Sequence, residues 1–138
     1  MKTKTLLDEY NFNISPKLKE IDIYLKSEKE PFNIEKTAKL LNISKEELIK
    51  IMDIYDIENI NLSNFFIIMK NGSSYICRLI SRKINCPNYE KYSPEIISYI
   101  YNIELEKVYT ACQKINCYIF NEKTIKNIFS EIKIQSDV

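Results

Sequence analysis

One glycine, Gly72, and four prolines in 138 residues leave this chain very few places where a helix must stop. A chain so short of breakers reads as helix after helix joined by tight corners. Its apolar residues recur at helical spacing and show little strand-like alternation. With 45% hydrophobic and 28% charged residues, it has the material for a folded core and not the composition of a disordered chain.

Local signals divide the chain further. Ser15-Pro16 reads as a helix start, serine capping and proline in the first turn, with Leu18, Ile21, Tyr24 and Leu25 continuing to about Ser27. Residues 34–55 read as two short helices around Leu41-Asn42-Ile43, where Asn42 can take the left-handed conformation that closes a helix. Ser44-Lys45-Glu46-Glu47 is a capping-box sequence for the second, whose apolar stripe is Leu48, Ile51, Met52 and Tyr55, with fraying expected near Asp56. Helices over 62–70 and 74–84 are expected to flank Asn71-Gly72, a corner that would use the tolerance of these residues for positive φ. Ser93-Pro94-Glu95 repeats the earlier start signal, and helices over 95–101, 104–115 and 122–132 complete the chain.

An offset of 60 residues lays Asn42-Ile43 over Asn102-Ile103, Leu48 over Val108, Asn61 over Asn121 and Ile68 over Ile128. The expected fold is therefore all-α: seven to eight short helices forming two related tri-helical units plus an N-terminal helix. The expected division is an N-terminal arm and helix (1–31), a first unit (32–85), a linker (86–92) and a second unit (93–138).

The segment TAKLLNISKEELIKI resembles the helix-turn-helix of small bacterial regulators. Ala38 supplies the small residue of the first helix, Asn42 the corner, Ile43 the apolar residue after it, and Leu48 and Ile51 the inner face of the second helix. The second copy has Ser98, Asn102, Ile103, Val108 and Ala111 in those places. The resemblance implies non-enzymatic regulation through double-stranded DNA. The alternative is a protein–protein interaction module, an adaptor or inhibitor on the same fold.

The chain has no histidine, so Ser-His and Cys-His pairs and histidine metal sites are excluded. Cys77, Cys86, Cys112 and Cys117 form no C-x-x-C pair and read as reduced, mostly buried thiols; no metal or cofactor is expected. Carboxylates lie among lysines on polar helix faces, and no catalytic constellation emerges. No apolar run approaches the roughly 20 residues of a membrane span, and MKTKTLLDEY has no signal-peptide core, so a cytoplasmic protein is expected.

The positive charge is local. Residues 70–91 carry Lys70, Arg78, Arg82, Lys83 and Lys91 against Glu90 alone, while the chain as a whole is +1. On a helix from Ser74, the side chains of Ser74, Arg78, Ser81 and Arg82 share one face and Ile76, Ile80 and Ile84 another. Candidate residues for gripping a nucleic acid or partner are thus Lys70, Ser74, Arg78, Ser81, Arg82 and Lys83, with Ser44, Lys45 and Lys50 from the helix-turn-helix. Ion pairing within the chain is the competing use of the two arginines. Glu104, Leu105, Glu106, Tyr109 and Thr110 make the second copy look more like a scaffold than a reader of bases.

Overall fold

The computed structural model describes residues 4–86 and 91–134. It is predominantly helical and divides into two compact units, residues 15–81 and residues 1–14 with 82–138. Residues 87–90 of the expected linker lie outside the described residues.

The chain enters through a two-residue strand, β1 (Lys4–Thr5), and a short helix, α1 (Leu6–Glu9). Thr5 and Asp8 cap α1 reciprocally: the Asp8 N–H donates to Thr5 Oγ1 at 3.2 Å and the Thr5 N–H to Asp8 Oδ2 at 3.0 Å. A π-helical turn, Tyr10–Ile14, follows, and then α2 (Ser15–Ser27). Ser15-Pro16 does begin α2, as its sequence signal predicts, but the helix continues directly from the π turn and not from an extended chain. Proline has no N–H to give and crowds the preceding turn, and the wider π turn directly before it accommodates both.

In the first unit α2 packs on α3 (Ile34–Leu40), where the Tyr24 hydroxyl shares a 3.2 Å hydrogen bond with buried Thr37. Next come α4 (Lys45–Ile54), α5 (Leu62–Asn71) and α6 (Tyr75–Ile84), the unit boundary falling within α6. Phe32 and Ile60 form an isolated antiparallel bridge that ties the start of α3 to the start of α5. The buried face of α6 is Ile76, Cys77 and Leu79, while Ile84 is exposed. The expected Ile76/Ile80/Ile84 stripe thus drifts off the core by its last member.

The second unit contains α7 (Pro94–Tyr101), α8 (Leu105–Ile115), α9 (Ile125–Phe129) and a strand, β2 (Lys133–Ile134), antiparallel to β1. Here the serine-proline signal holds: Ser93 Oγ accepts the Ile96 N–H at 3.2 Å and Pro94 stands in the first turn. The last helix is shorter than expected. Asn121 and Thr124 bond to each other's main chain and form a turn, which delays the helix to Ile125. Phe129 packs against Tyr10 and Tyr101, with centroids at 5.3 and 4.8 Å.

The two units repeat one layout 60 residues apart. The bridge Phe32–Ile60 recurs as Tyr92–Phe120. Left-handed Asn42 and Asp56 recur as left-handed Asn102 and Asn116. The Ile43 N–H donates to the Ala38 carbonyl at 3.0 Å, and that of Ile103 to Ser98 at 3.2 Å. Buried Leu48, Ile51 and Met52 correspond to buried Val108, Ala111 and Cys112, and Phe65, Ile68 and Met69 to Ile125, Ile128 and Phe129. Different side chains fill the same inner positions.

Gly72 marks a divergence, since the buried residue 60 positions on is Ile132. Its φ is −70°, so the expected reliance on positive φ is not what selects glycine here. The reason is space: a Cβ at Gly72 would lie 2.5 Å from Cys77 Sγ and 3.0 Å from Cys77 Cβ. Gly72→Ala is expected to cost about 1–3 kcal/mol in denaturant unfolding. Combining it with Cys77→Ala should recover part of that loss, because the new methyl then fills vacated volume. Additive losses would contradict the packing explanation.

Candidate functional site

The geometry of the site follows from the corner between α3 and α4. Asn33 Oδ1 caps α3 by accepting the Lys36 N–H at 2.9 Å. Asn42 turns the chain at φ 57°, where a β-branched residue would be strained, and Ile43 is buried directly after it. Ser44 Oγ then caps α4 through the Glu47 N–H at 3.0 Å. Only that half of the capping box forms. The Glu47 carboxylate turns away and accepts the Ser73 N–H and hydroxyl, both at 2.7 Å.

The segment Gly72–Cys77 is consequently a clasp over the corner. The Ser74 hydroxyl donates to the Leu41 carbonyl at 2.6 Å and accepts the Cys77 N–H at 3.2 Å, which caps α6. Cys77 is buried here, and burial pushes its thiol above the usual range. Ser74 is thus used within the unit and does not stand beside Arg78 as an outward-facing hydroxyl.

The remaining candidates separate by unit. Ser44 caps α4, as above. Lys45 pairs with Glu35 at 2.8 Å; hydrogen bonding between them lowers the carboxyl pKa and raises that of the ammonium. Lys50, Lys70 and Arg78 are exposed and make no ion pair among the described residues, and Ser81 is half-buried. In the second unit, Arg82 Nε donates to the Ile100 carbonyl at 2.9 Å, satisfying an acceptor in the last turn of α7. Lys83 lies 3.2 Å from Glu122 Oε1, which also accepts the Tyr92 hydroxyl at 2.7 Å. Two of the cations in the positive segment therefore have work inside the fold.

Both second helices keep an outer face in solvent. On α4 it carries Lys45, Glu46, Ile49, Lys50 and Asp53. On α8 it carries Glu106, Lys107, Tyr109, Thr110, Gln113 and Lys114. Tyr109 hydrogen-bonds Glu95 of α7, which lowers that carboxyl's pKa and raises the phenol's. Thr110 Oγ1 donates to the Glu106 carbonyl at 2.9 Å. Lys107, Gln113 and Lys114 escape a sequence reading confined to the first turns of the helix. Continuing the same spacing to the helix end would have found them, since 106, 110 and 113 align, as do 107, 110 and 114.

Among the described residues no three or more of His, Cys, Asp or Glu gather as a metal site, and no helix is long and apolar enough to cross a membrane. Comparison with protein-family models, curated proteins and solved structures finds no match for this chain.

The split between the arginines has a measurable consequence. Arg82→Ala should lower unfolding stability by about 1–2 kcal/mol, because it leaves the Ile100 carbonyl without its charged donor. Arg78→Ala should change stability by less than about 0.5 kcal/mol. Equal losses in urea titration would show that Arg78 also serves the fold.

Proposed function

We propose that this protein is a non-enzymatic regulator that binds double-stranded DNA through the exposed second helices of its two helix-turn-helix-like units. The observation that carries the reading is the matched exposure of α4 and α8. Each buries one side behind a left-handed asparagine corner and leaves the other in water with two lysines on it. A helix held in this way can enter a major groove, with lysines on phosphates and a side chain such as Gln113 facing base edges. Arg78 and Lys70 add positive charge to the first unit. Action is by occupancy of a site, without chemistry.

A second reading, protein–protein interaction on the same fold, is favoured by one specific feature. The exposed surface of α4 and α5 includes Ile49, Ile54, Tyr55, Leu62, Phe66 and Ile67, and Glu46 and Asp53 accompany the lysines. Acids facing a phosphate backbone oppose binding, whereas a protein partner can use both features.

Fluorescence anisotropy with a labelled mixed-sequence duplex separates the two readings. DNA binding predicts saturable, salt-sensitive association. Lys107→Ala with Lys114→Ala should reduce the slope of log K against log salt by about 0.9 for each phosphate that is no longer neutralised. Absence of binding at low salt would remove the DNA reading and leave the protein-partner one.

A further inference from the structure

The end of α8 brings the backbones of two cysteines together. Asn116 turns left-handed at φ 51°, and the Cys117 N–H folds back to donate to the Cys112 carbonyl at 3.2 Å. In such a helix end, the residue after the left-handed position packs its side chain on the one five places earlier. The first unit has the same arrangement at the end of α4: left-handed Asp56, and an Ile57 N–H donating to the Met52 carbonyl at 2.8 Å. Met52 is buried and Ile57 half-buried, an ordinary apolar staple. Cys112 is likewise buried and Cys117 likewise half-buried, so both members of the second staple are thiols.

A disulfide requires α-carbons roughly 4.4–6.8 Å apart, and a direct main-chain hydrogen bond between the two residues holds them near that separation. Accessibility is also suitably uneven. The half-buried Cys117 Sγ, 3.3 Å from the Ile119 carbonyl, lines an open cleft with Ile115, Phe120 and Asn121, whereas Cys112 has no exposed surface. Burial pushes the Cys112 thiol above its usual range, so Cys117 is the sulfur that an incoming reagent meets as a nucleophile.

We propose that Cys112 and Cys117 are a redox modification site, a dithiol that a small disulfide of the glutathione class converts to an intramolecular disulfide fastening the end of α8. The Cys117 thiolate attacks one sulfur of the reagent, forming a mixed disulfide and releasing one equivalent of reduced thiol. Cys112 then loses its proton and attacks the Cys117 sulfur, breaking the mixed disulfide and releasing the second equivalent. Two cysteine thiols are oxidised, one reagent disulfide is reduced to two thiols, and no other reactant is consumed.

The test incubates the full-length protein in glutathione buffers of increasing oxidised fraction, with acid quench and peptide mapping by mass spectrometry. The expected product is one Cys112–Cys117 disulfide, recognised by loss of two hydrogens from the peptides and reversed by reductant. Cys112→Ser should instead stop at a glutathione adduct on Cys117, and Cys77→Ser with Cys86→Ser should leave the wild-type product unchanged. Stable glutathionylation of Cys117 in the wild-type chain would overturn the proposal. Two free thiols in the most oxidising buffer would overturn it as well.

Discussion

The structure depends on a single backbone conformation used four times among the described residues. Asn42, Asp56, Asn102 and Asn116 stand in the left-handed region, and each ends a helix there. Asparagine and aspartate tolerate that region better than other residues with a Cβ, which lets a chain with one glycine turn sharply. At Asn42 and Asn102 the turn delivers the next isoleucine amide to a carbonyl five residues back, so that the second helix sets off across the first. The inner faces of α4 and α8 then meet the core, and their outer faces are left in water.

Each corner is braced by an element from further along or earlier in the chain, and the brace differs between units. In the first, Ser73 and Ser74 reach Glu47 and the Leu41 carbonyl, and glycine is needed for the close approach to Cys77. In the second, Ser98 Oγ donates to the Ile103 carbonyl at 2.6 Å, and Arg82 satisfies the end of α7. The stretch holding the only glycine and both arginines thus contributes mainly to holding the corners. Of the two arginines, Arg78 is the one that stays in solvent.

Much of this was legible in the residues. Asn-Ile at both corners, apolar spacing in α4 and α8, and the 60-residue offset are local or periodic signals, and they give the all-α architecture. Features that depend on non-local partners were not legible. Glu47 sits in a capping-box sequence, yet its carboxylate goes to Ser73, 26 residues away. The bridges Phe32–Ile60 and Tyr92–Phe120 involve one residue on each side, too short for any alternation to announce them. Gly72 resembles a turn glycine by its neighbour Asn71, and only the position of Cys77 reveals a packing role. For the candidate site, the lysines of α4 could be read directly, whereas the engagement of Arg82 and Lys83 with α7 and Glu122 could not.

Amide hydrogen exchange, measured residue by residue, reads the repeated layout at its matched hydrogen bonds. Protection is expected at Phe32, Ile43 and Ile57, and in parallel at Tyr92, Ile103 and Cys117, the amides that form the bridge, the corner and the helix-end staple in each unit. Matched protection in both sets would establish two structurally equivalent units. Protection confined to one set, with the other exchanging like exposed loop amides, would contradict the repeat.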